Sequence, residues 1–235
     1  KLIFWKYSLY NNLNHVALIL DGNKRWAKKN KLSNIYGYSK GFENIKNLVK
    51  YSLSIKLPIL TIFALSSENF HRSSISTIYK IIYDNFSDMF EELIQDKGVK
   101  IRIIGSKDNL PPKILEILKK IEELSSQNKN LNLNIAFNYG FKNEIKSVIK
   151  KINNKKQNYN IYNDEDLNKL FYLGSYPDPD ILIRTGGYQR LSNFIMYNLT
   201  YTELFFTQTL WPEFSENEFQ SILDKFSKIH RKYGL

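Results

Sequence analysis

Apolar residues along the chain fall into two periods. Six short runs, His15–Leu20, Ile59–Ala64, Val99–Ile104, Leu131–Phe137, Asp180–Arg184 and Glu203–Phe206, have the length and near-continuous apolar character of buried strands. Between most of them the spacing becomes helical. Ile45, Leu48, Val49 and Leu53 recur on one helical face after the first run, and Ile78, Ile81, Ile82, Phe86, Met89, Phe90 and Leu93 do so after the second. Pro111 and Pro112 suit the first turn of a further helix, and Ile145, Val148, Ile149 and Ile152 mark another. This alternation predicts an α/β fold: a single domain with a mostly parallel six-stranded sheet flanked by helices. The polar run at 153–160 follows neither period and reads as a surface loop.

The chain has 235 residues, 43% hydrophobic and 24% charged, enough for one globular domain with a substantial core. It has no cysteine, which excludes disulfides, thiolate nucleophiles and cysteine-ligated zinc. Any metal therefore rests on oxygen or on the scattered His15, His71 and His230. A net charge of +11 favours anionic partners, among which nucleic acid, phospholipid headgroups and diphosphates all qualify. Apolar stretches such as Val16–Leu20 are too short to span a bilayer, and no signal-peptide pattern opens the chain, so a soluble or peripheral protein is expected. Residues 1–14 mix Phe4, Trp5, Tyr7 and Tyr10 with Lys1 and Lys6, and read either as an interfacial segment or as a frayed helix packed on the body at 15–235.

Functional groups of open parallel sheets gather beyond the carboxyl ends of the strands. There this chain places Asp21-Gly-Asn-Lys-Arg-Trp26, Ser66-Ser-Glu-Asn-Phe-His-Arg72, Asn138-Tyr-Gly140 and Thr185-Gly-Gly-Tyr-Gln-Arg-Leu-Ser192. Gly22, Asn23, Lys24 and Arg25 are suited to presenting backbone N–H groups to phosphate oxygens, while Asp21, taken alone, reads first as a helix cap. A carboxylate beside a phosphate calls for a cation between them, and Mg²⁺ commonly takes one or two carboxylates plus substrate phosphates. Glu203, opening the last run, is the second candidate carboxylate. Arg184, Arg190 and Ser192 around the paired glycines form one anion-binding group, and Ser66, Asn69 and Arg72 form another, which suggests two phosphorylated substrates. No P-loop, G-x-G-x-x-G or H-E-x-x-H pattern occurs.

The segments HVALILDGNKRWAKK, LTIFALSSENFHRS, LNIAFNYG and PDILIRTGGYQRLSNF, followed by ELFFTQTLWPEF, resemble the cis-prenyltransferase family from about residue 13 to the C-terminus. The resemblance implies a sheet and two long helices enclosing a hydrophobic tunnel. It also implies an enzyme that adds isopentenyl diphosphate, in successive cis-condensations, to an allylic diphosphate such as farnesyl diphosphate. The implied product is a long-chain polyprenyl diphosphate used as a precursor of lipid glycan carriers. By the same resemblance Asp21 is the Mg²⁺ carboxylate and Glu203 its second protein ligand. Gly22, Asn23, Lys24 and Arg25 with Arg72 hold the allylic diphosphate, Asn69 and Ser66 assist proton removal and diphosphate handling, and Trp26 and Phe70 line the prenyl pocket. Arg184, Arg190 and Ser192 hold isopentenyl diphosphate. Ser67, Glu68 and Leu191, within the matching segments, and Tyr38, at the family's Gly-His position, complete the expected substrate contacts.

Three positions depart from the family pattern. Asn34 stands where many members carry arginine, Tyr38 replaces the histidine of a Gly-His pair, and Tyr188 replaces an acidic residue after the paired glycines. A tyrosine at 38 keeps a hydroxyl but carries no positive charge near neutral pH. The C-terminal His230-Arg-Lys-Tyr-Gly-Leu235 resembles an Arg-x-Gly tail with lysine at 232, which implies a homodimer whose tail completes the neighbour's site, with Arg231 as an alternative cation. The remaining expectations are possible peripheral contact with a membrane, a cytoplasmic location or one on a membrane's cytoplasmic face (endoplasmic reticulum in a eukaryote), and no nucleic-acid partner.

Overall fold

A computed structural model describes residues 10, 12–69, 75–91, 93–94, 98–154 and 163–231, with backbone alone for 85–91. The chain runs β1 (His15–Ile19), α1 (Asn23–Lys29), α2 (Asn34–Ser54), β2 (Ile59–Ser66), α3 (Ile75–Glu91), β3 (Val99–Ile104), α4 (Pro112–Ser125), β4 (Leu131–Tyr139), α5 (Phe141–Ile152), α6 (Asp164–Asn168), β5 (Ile181–Arg184), β6 (Glu203–Phe206) and α7 (Glu216–Phe226). The strands form one six-stranded sheet in the order β3-β4-β2-β1-β5-β6. Every ladder is parallel.

All six predicted strands are present, with shifted ends. β2 and β4 run on to Ser66 and Tyr139, and register shifts where their last residues pair bring Ser66 opposite Tyr139. β5 starts one residue later than expected because Asp180 accepts hydrogen bonds from the backbone N–H groups of Asn14 (2.7 Å) and His15 (3.0 Å). The short polar α6 was not anticipated.

The sheet is covered on both faces, which is why its strands read as apolar runs. Val16 and Leu18 pack with α2, α4 and α7, and Ala17 and Ile19 pack with Phe63, Leu182 and Phe194 on the other face. Each fully buried Ile or Leu contributes about 1.5–3 kcal/mol. Two interior features position the site. Gly41 lets α1 close on α2, since a Cβ there would lie 2.0 Å from Asn23 Oδ1. The buried Trp211 indole donates to Gly41 O at 2.7 Å, and Asn44 Nδ2 donates to Trp211 O and Phe214 O, fixing the segment after β6 on α2.

Most of the expected interfacial stretch at 1–14 lies outside the described residues, as do Phe70, His71, Arg72, most of the 153–160 loop and Lys232–Leu235. Leu13 is buried and Tyr10 packs against the core. Among the described residues, no helix is long and apolar enough to cross a membrane.

Candidate active site

Asp21 lies two residues beyond β1, level with the carboxyl end of β5, because Ile19 pairs with Arg184. Its Oδ2 accepts from Arg184 Nη2 at 2.8 Å and its Oδ1 from Arg25 Nη2 at 3.0 Å. Thr185 ties the two loops together: its Oγ1 accepts from Asp21 N (3.0 Å) and donates to Asp21 O (2.8 Å). The Arg184 side chain is buried, with Nη1 donating to Ser192 Oγ (2.7 Å) and to Arg190 O. Its Nε is buried without a hydrogen-bond partner.

Gly186 has φ 85°, and a Cβ there would lie 2.5 Å from Arg25 Nη2, so glycine meets both a backbone and a space requirement. Arg25 Nη1 then donates to Gly186 O at 2.6 Å. Tyr188 gathers cations on its ring: the guanidinium carbons of Arg190, Arg25 and Arg184 lie 4.1, 4.7 and 5.8 Å from its centroid. Three mutually repelling guanidinium groups are thus held by one carboxylate and one aromatic face.

These groups open onto a cavity of about 660 Å³. Of the expected residues it is lined by Asp21, Gly22, Asn23, Lys24 and Arg25 from the first loop, Tyr38 from α2, Ser66, Glu68 and Asn69 from the second loop, and Arg184, Arg190 and Ser192 from the third. A second cavity of about 90 Å³ shares Leu20, Tyr38, Ala64 and Ile78 with the first and is otherwise apolar, reaching Ile62, Leu118 and Ile135. A polar basin therefore opens onto an oily recess bounded by the sheet, α2 and α3.

Four expected residues do not line the basin. Trp26 is half-buried on α1, Leu191 packs in the core on the far face, and Ser67 lines a neighbouring groove and donates its N–H to Tyr139 O. The larger correction concerns Glu203, expected to share a metal with Asp21. It pairs with Ile181 at the amino end of β5, whereas Asp21 lies beyond the carboxyl end. Three strand residues, about 10 Å, separate Glu203 from the level of Arg184. Within one chain the two carboxylates do not meet.

Asn193 was missed. It lines the basin, donates from Nδ2 to Glu68 Oε1 (2.6 Å), and accepts at Oδ1 from Lys142 N (3.0 Å), so it clasps two loops and the first turn of α5. Its φ of 65° and that of Ser192, 51°, are left-handed, the kind of strain found at functional sites. Asparagine tolerates that conformation, but sequence alone gave no sign of the clasp.

Among the described residues no group of three or more His, Asp or Glu side chains is placed to hold a metal by itself. A single partly exposed carboxylate beside an anion basin does fit Mg²⁺, which binds through one or two carboxylates with substrate phosphates and water supplying the rest.

Fold and site together define an α/β protein in which a basic basin adjoins an apolar recess. Comparison with known proteins carries this further. The family model described as "Putative undecaprenyl diphosphate synthase" matches residues 19–234. An isoprenyl transferase of Aquifex pyrophilus is 39% identical over 94% of this chain and 95% of its own length. A geranylgeranyl-diphosphate-specific tritrans,polycis-undecaprenyl-diphosphate synthase of Pyrococcus furiosus is 36% identical over 94% of this chain and 86% of its own. Lavandulyl diphosphate synthase from Lavandula x intermedia, solved in complex with dimethylallyl diphosphate, superposes with a TM-score of 0.88 at 29% identity, covering 94% of this chain and 98% of that one. The chain belongs to the undecaprenyl diphosphate synthase family of cis-prenyltransferases.

Proposed function

We propose that this chain is a Mg²⁺-dependent polyprenyl diphosphate synthase that repeatedly adds isopentenyl diphosphate to an allylic diphosphate in the cis configuration. The observation that carries the reading is the continuity of the basin around Asp21, Arg25, Arg184 and Arg190 with the apolar recess behind Leu20, Tyr38, Ala64 and Ile78. An allylic substrate has that shape: a diphosphate head and a hydrocarbon tail.

In the proposed reaction the isopentenyl double bond attacks the allylic carbon, the carbon–oxygen bond to diphosphate breaks, and a proton leaves the isopentenyl unit. Gly22–Arg25, with Arg72, hold the leaving diphosphate; Arg184, Arg190 and Ser192 hold the second diphosphate so that the reacting carbons meet. Asn69, whose N–H donates to Ser66 Oγ at 3.2 Å, is assigned with Ser66 to proton removal. A Mg²⁺ held by Asp21 and substrate phosphates would supply charge neutralisation for the departing diphosphate. Asp21 accepts one guanidinium bond at each oxygen, which leaves a lone pair on each that would be able to hold such a cation, while Arg25 and Arg184 would be placed to turn toward phosphate. The recess is too small for a long chain, so a tunnel requires α2 and α3 to part around the growing product.

The edge strand β6 exposes Leu204 and Phe206, with Tyr201 and Met196 exposed nearby. A bare apolar edge favours a homodimer. Arg231, considered above as a tail cation, donates instead to Asp180 (2.6 Å) and Tyr201 O (3.1 Å), beside the amino end of the sheet. Arg231 therefore lies at the end of the sheet opposite its own basin, which favours a role for the C-terminus at a neighbour's site. A lipid-carrier role for the product and a peripheral position on a membrane's cytoplasmic face complete the proposal.

The test is to incubate purified protein with farnesyl diphosphate, isopentenyl diphosphate and Mg²⁺ and to chromatograph the products. Lengthened cis-polyprenyl diphosphates, abolished by a chelator, are expected. No consumption of isopentenyl diphosphate with farnesyl, geranylgeranyl or dimethylallyl primers would overturn the reading.

A further inference from the structure

Next to the basin lies a second hollow, about 670 Å³, whose charged lining is entirely cationic: Lys24, Arg25, Lys28 and Lys31, with Leu32 and Asn34. Lys24 and Arg25 line both spaces, so the two are contiguous. Among the described residues Arg25 alone of these four has an acidic partner, Asp21 at 3.0 Å. Lys29, which does not line the hollow, shows the ordinary arrangement and pairs with Glu213 at 3.3 Å.

The fold gives no reason for this concentration of charge. Lys24 and Lys28 are four residues apart on α1, where like charges repel. The dipole of α1 favours Lys28 in its last turn but disfavours Lys24 in its first. Lys31 lies beyond the helix at φ 56°, a conformation uncommon for lysine. Arrangements that oppose local stability without a structural return are expected where a ligand supplies the missing charge.

We infer that this hollow is a second phosphate-binding subsite, adjoining the Asp21 basin through Lys24 and Arg25. The ligand chemistry is a phosphate group, carried either by free diphosphate or by an anionic lipid headgroup. One diphosphate is released per condensation, a source that rests on the proposed reaction. Leu32 and Tyr36, exposed at 42% and 62%, flank the lysines as apolar contacts suited to a headgroup layer.

The experiment is calorimetric titration of inorganic diphosphate into the wild-type protein, Lys28→Gln/Lys31→Gln and Lys29→Gln. The double variant should bind roughly three- to tenfold more weakly at low salt, as expected for two exposed charge contacts, and the difference should shrink as salt rises. Lys29→Gln should match wild type. The melting temperature of the double variant should equal or exceed wild type, since repulsion is removed; the single Lys31→Gln change, at an exposed position, repeats the test should the double variant fold poorly. A second arm measures co-sedimentation with phosphatidylcholine vesicles with and without phosphatidylglycerol. Loss of phosphatidylglycerol binding with an unchanged diphosphate isotherm assigns the subsite to lipid phosphate, and the reverse assigns it to free diphosphate. No change in either arm, or an equal loss in Lys29→Gln, overturns the inference. A protein that binds diphosphate in the hollow yet elongates no primer refutes the proposed reaction and leaves the subsite standing. An active enzyme whose double variant binds as wild type refutes the subsite alone.

Discussion

The two ends of the sheet each carry an aspartate–arginine pair, and the two pairs are built for different purposes. At the carboxyl end Asp21 meets Arg184 at 2.8 Å, with 29% of the aspartate side chain open to the basin. At the amino end Asp180 meets Arg231 at 2.6 Å with 11% open, and its other oxygen accepts two backbone N–H groups. Three of the four acceptor positions of Asp180 are taken, two of them by fixed backbone groups. Asp21 holds only side-chain guanidinium groups, which a phosphate can take over, and so remains available to a cation. Equal chemistry and similar distances thus give a structural knot at one end and an exchangeable site at the other. What separates them is which additional groups each carboxylate has bound.

Replacing each aspartate should expose that difference. Asp21→Asn, which keeps an oxygen for one guanidinium, should lower kcat on the order of a thousandfold, the scale of losing a principal charge-stabilising group. Because the pair is partly exposed, the stability change should stay near 1 kcal/mol. Asp180→Ala should do the opposite: about 3–5 kcal/mol of stability lost in urea denaturation, with kcat per folded molecule retained, because Arg231 loses its carboxylate and the backbone N–H groups of Asn14 and His15 lose their acceptor. If the Asp180 variant loses turnover while keeping its stability, the two ends do not divide structure from chemistry.

The division was only partly legible in the sequence. The strands were, because parallel strands covered on both faces appear as uninterrupted apolar runs, and the loops beyond their carboxyl ends then placed Asp21, Arg25, Arg184, Arg190 and Ser192 together. Glu203 was misplaced although the signal existed: it opens its strand, and the opening of a parallel strand faces away from the site. The Asp180–Arg231 knot could not be read, since its partners are 51 residues apart and Arg231 lies in no periodic segment. Asn193 escaped for a similar reason, its function being to join loops that only the fold brings together.

The amino end also predicts a pH dependence. His15 is fully buried, its ring nitrogens bonded to Pro177 O and Thr61 Oγ1 at 2.7 Å each, and burial pushes its pKa from 6.5 down to about 4. With the folded value depressed, the unfolded chain takes up a proton near pH 6.5 that the folded protein refuses. The stability conferred by neutral His15 is therefore complete above pH 6.5 and is lost as pH falls toward 4, by about 3 kcal/mol. Denaturation midpoints measured across that window should fall steeply in the wild type. In His15→Gln the protein should be weaker at pH 7 but show a flatter profile; an identical slope would assign the acid sensitivity to other groups.

The smallest expected effect tests the exchangeable end most closely. Tyr188 stands where the family resemblance implies an acid, and its ring lies under Arg190 and Arg25 at 4.1 and 4.7 Å. A carboxylate there would bind the guanidinium donors and compete with an incoming diphosphate, whereas an aromatic face restrains the same cations and leaves their N–H groups free. Tyr188→Leu should therefore remove about 0.5–1 kcal/mol of arginine positioning, a rise of roughly two- to fivefold in KM for isopentenyl diphosphate at nearly constant kcat. Tyr188→Phe should match wild type, because the ring face carries the effect. Tyr188→Glu should raise KM further than leucine does, since it adds a competitor while removing the ring. If phenylalanine behaves like leucine, the hydroxyl rather than the ring is the working group, and the aromatic face does not position the arginines of the basin.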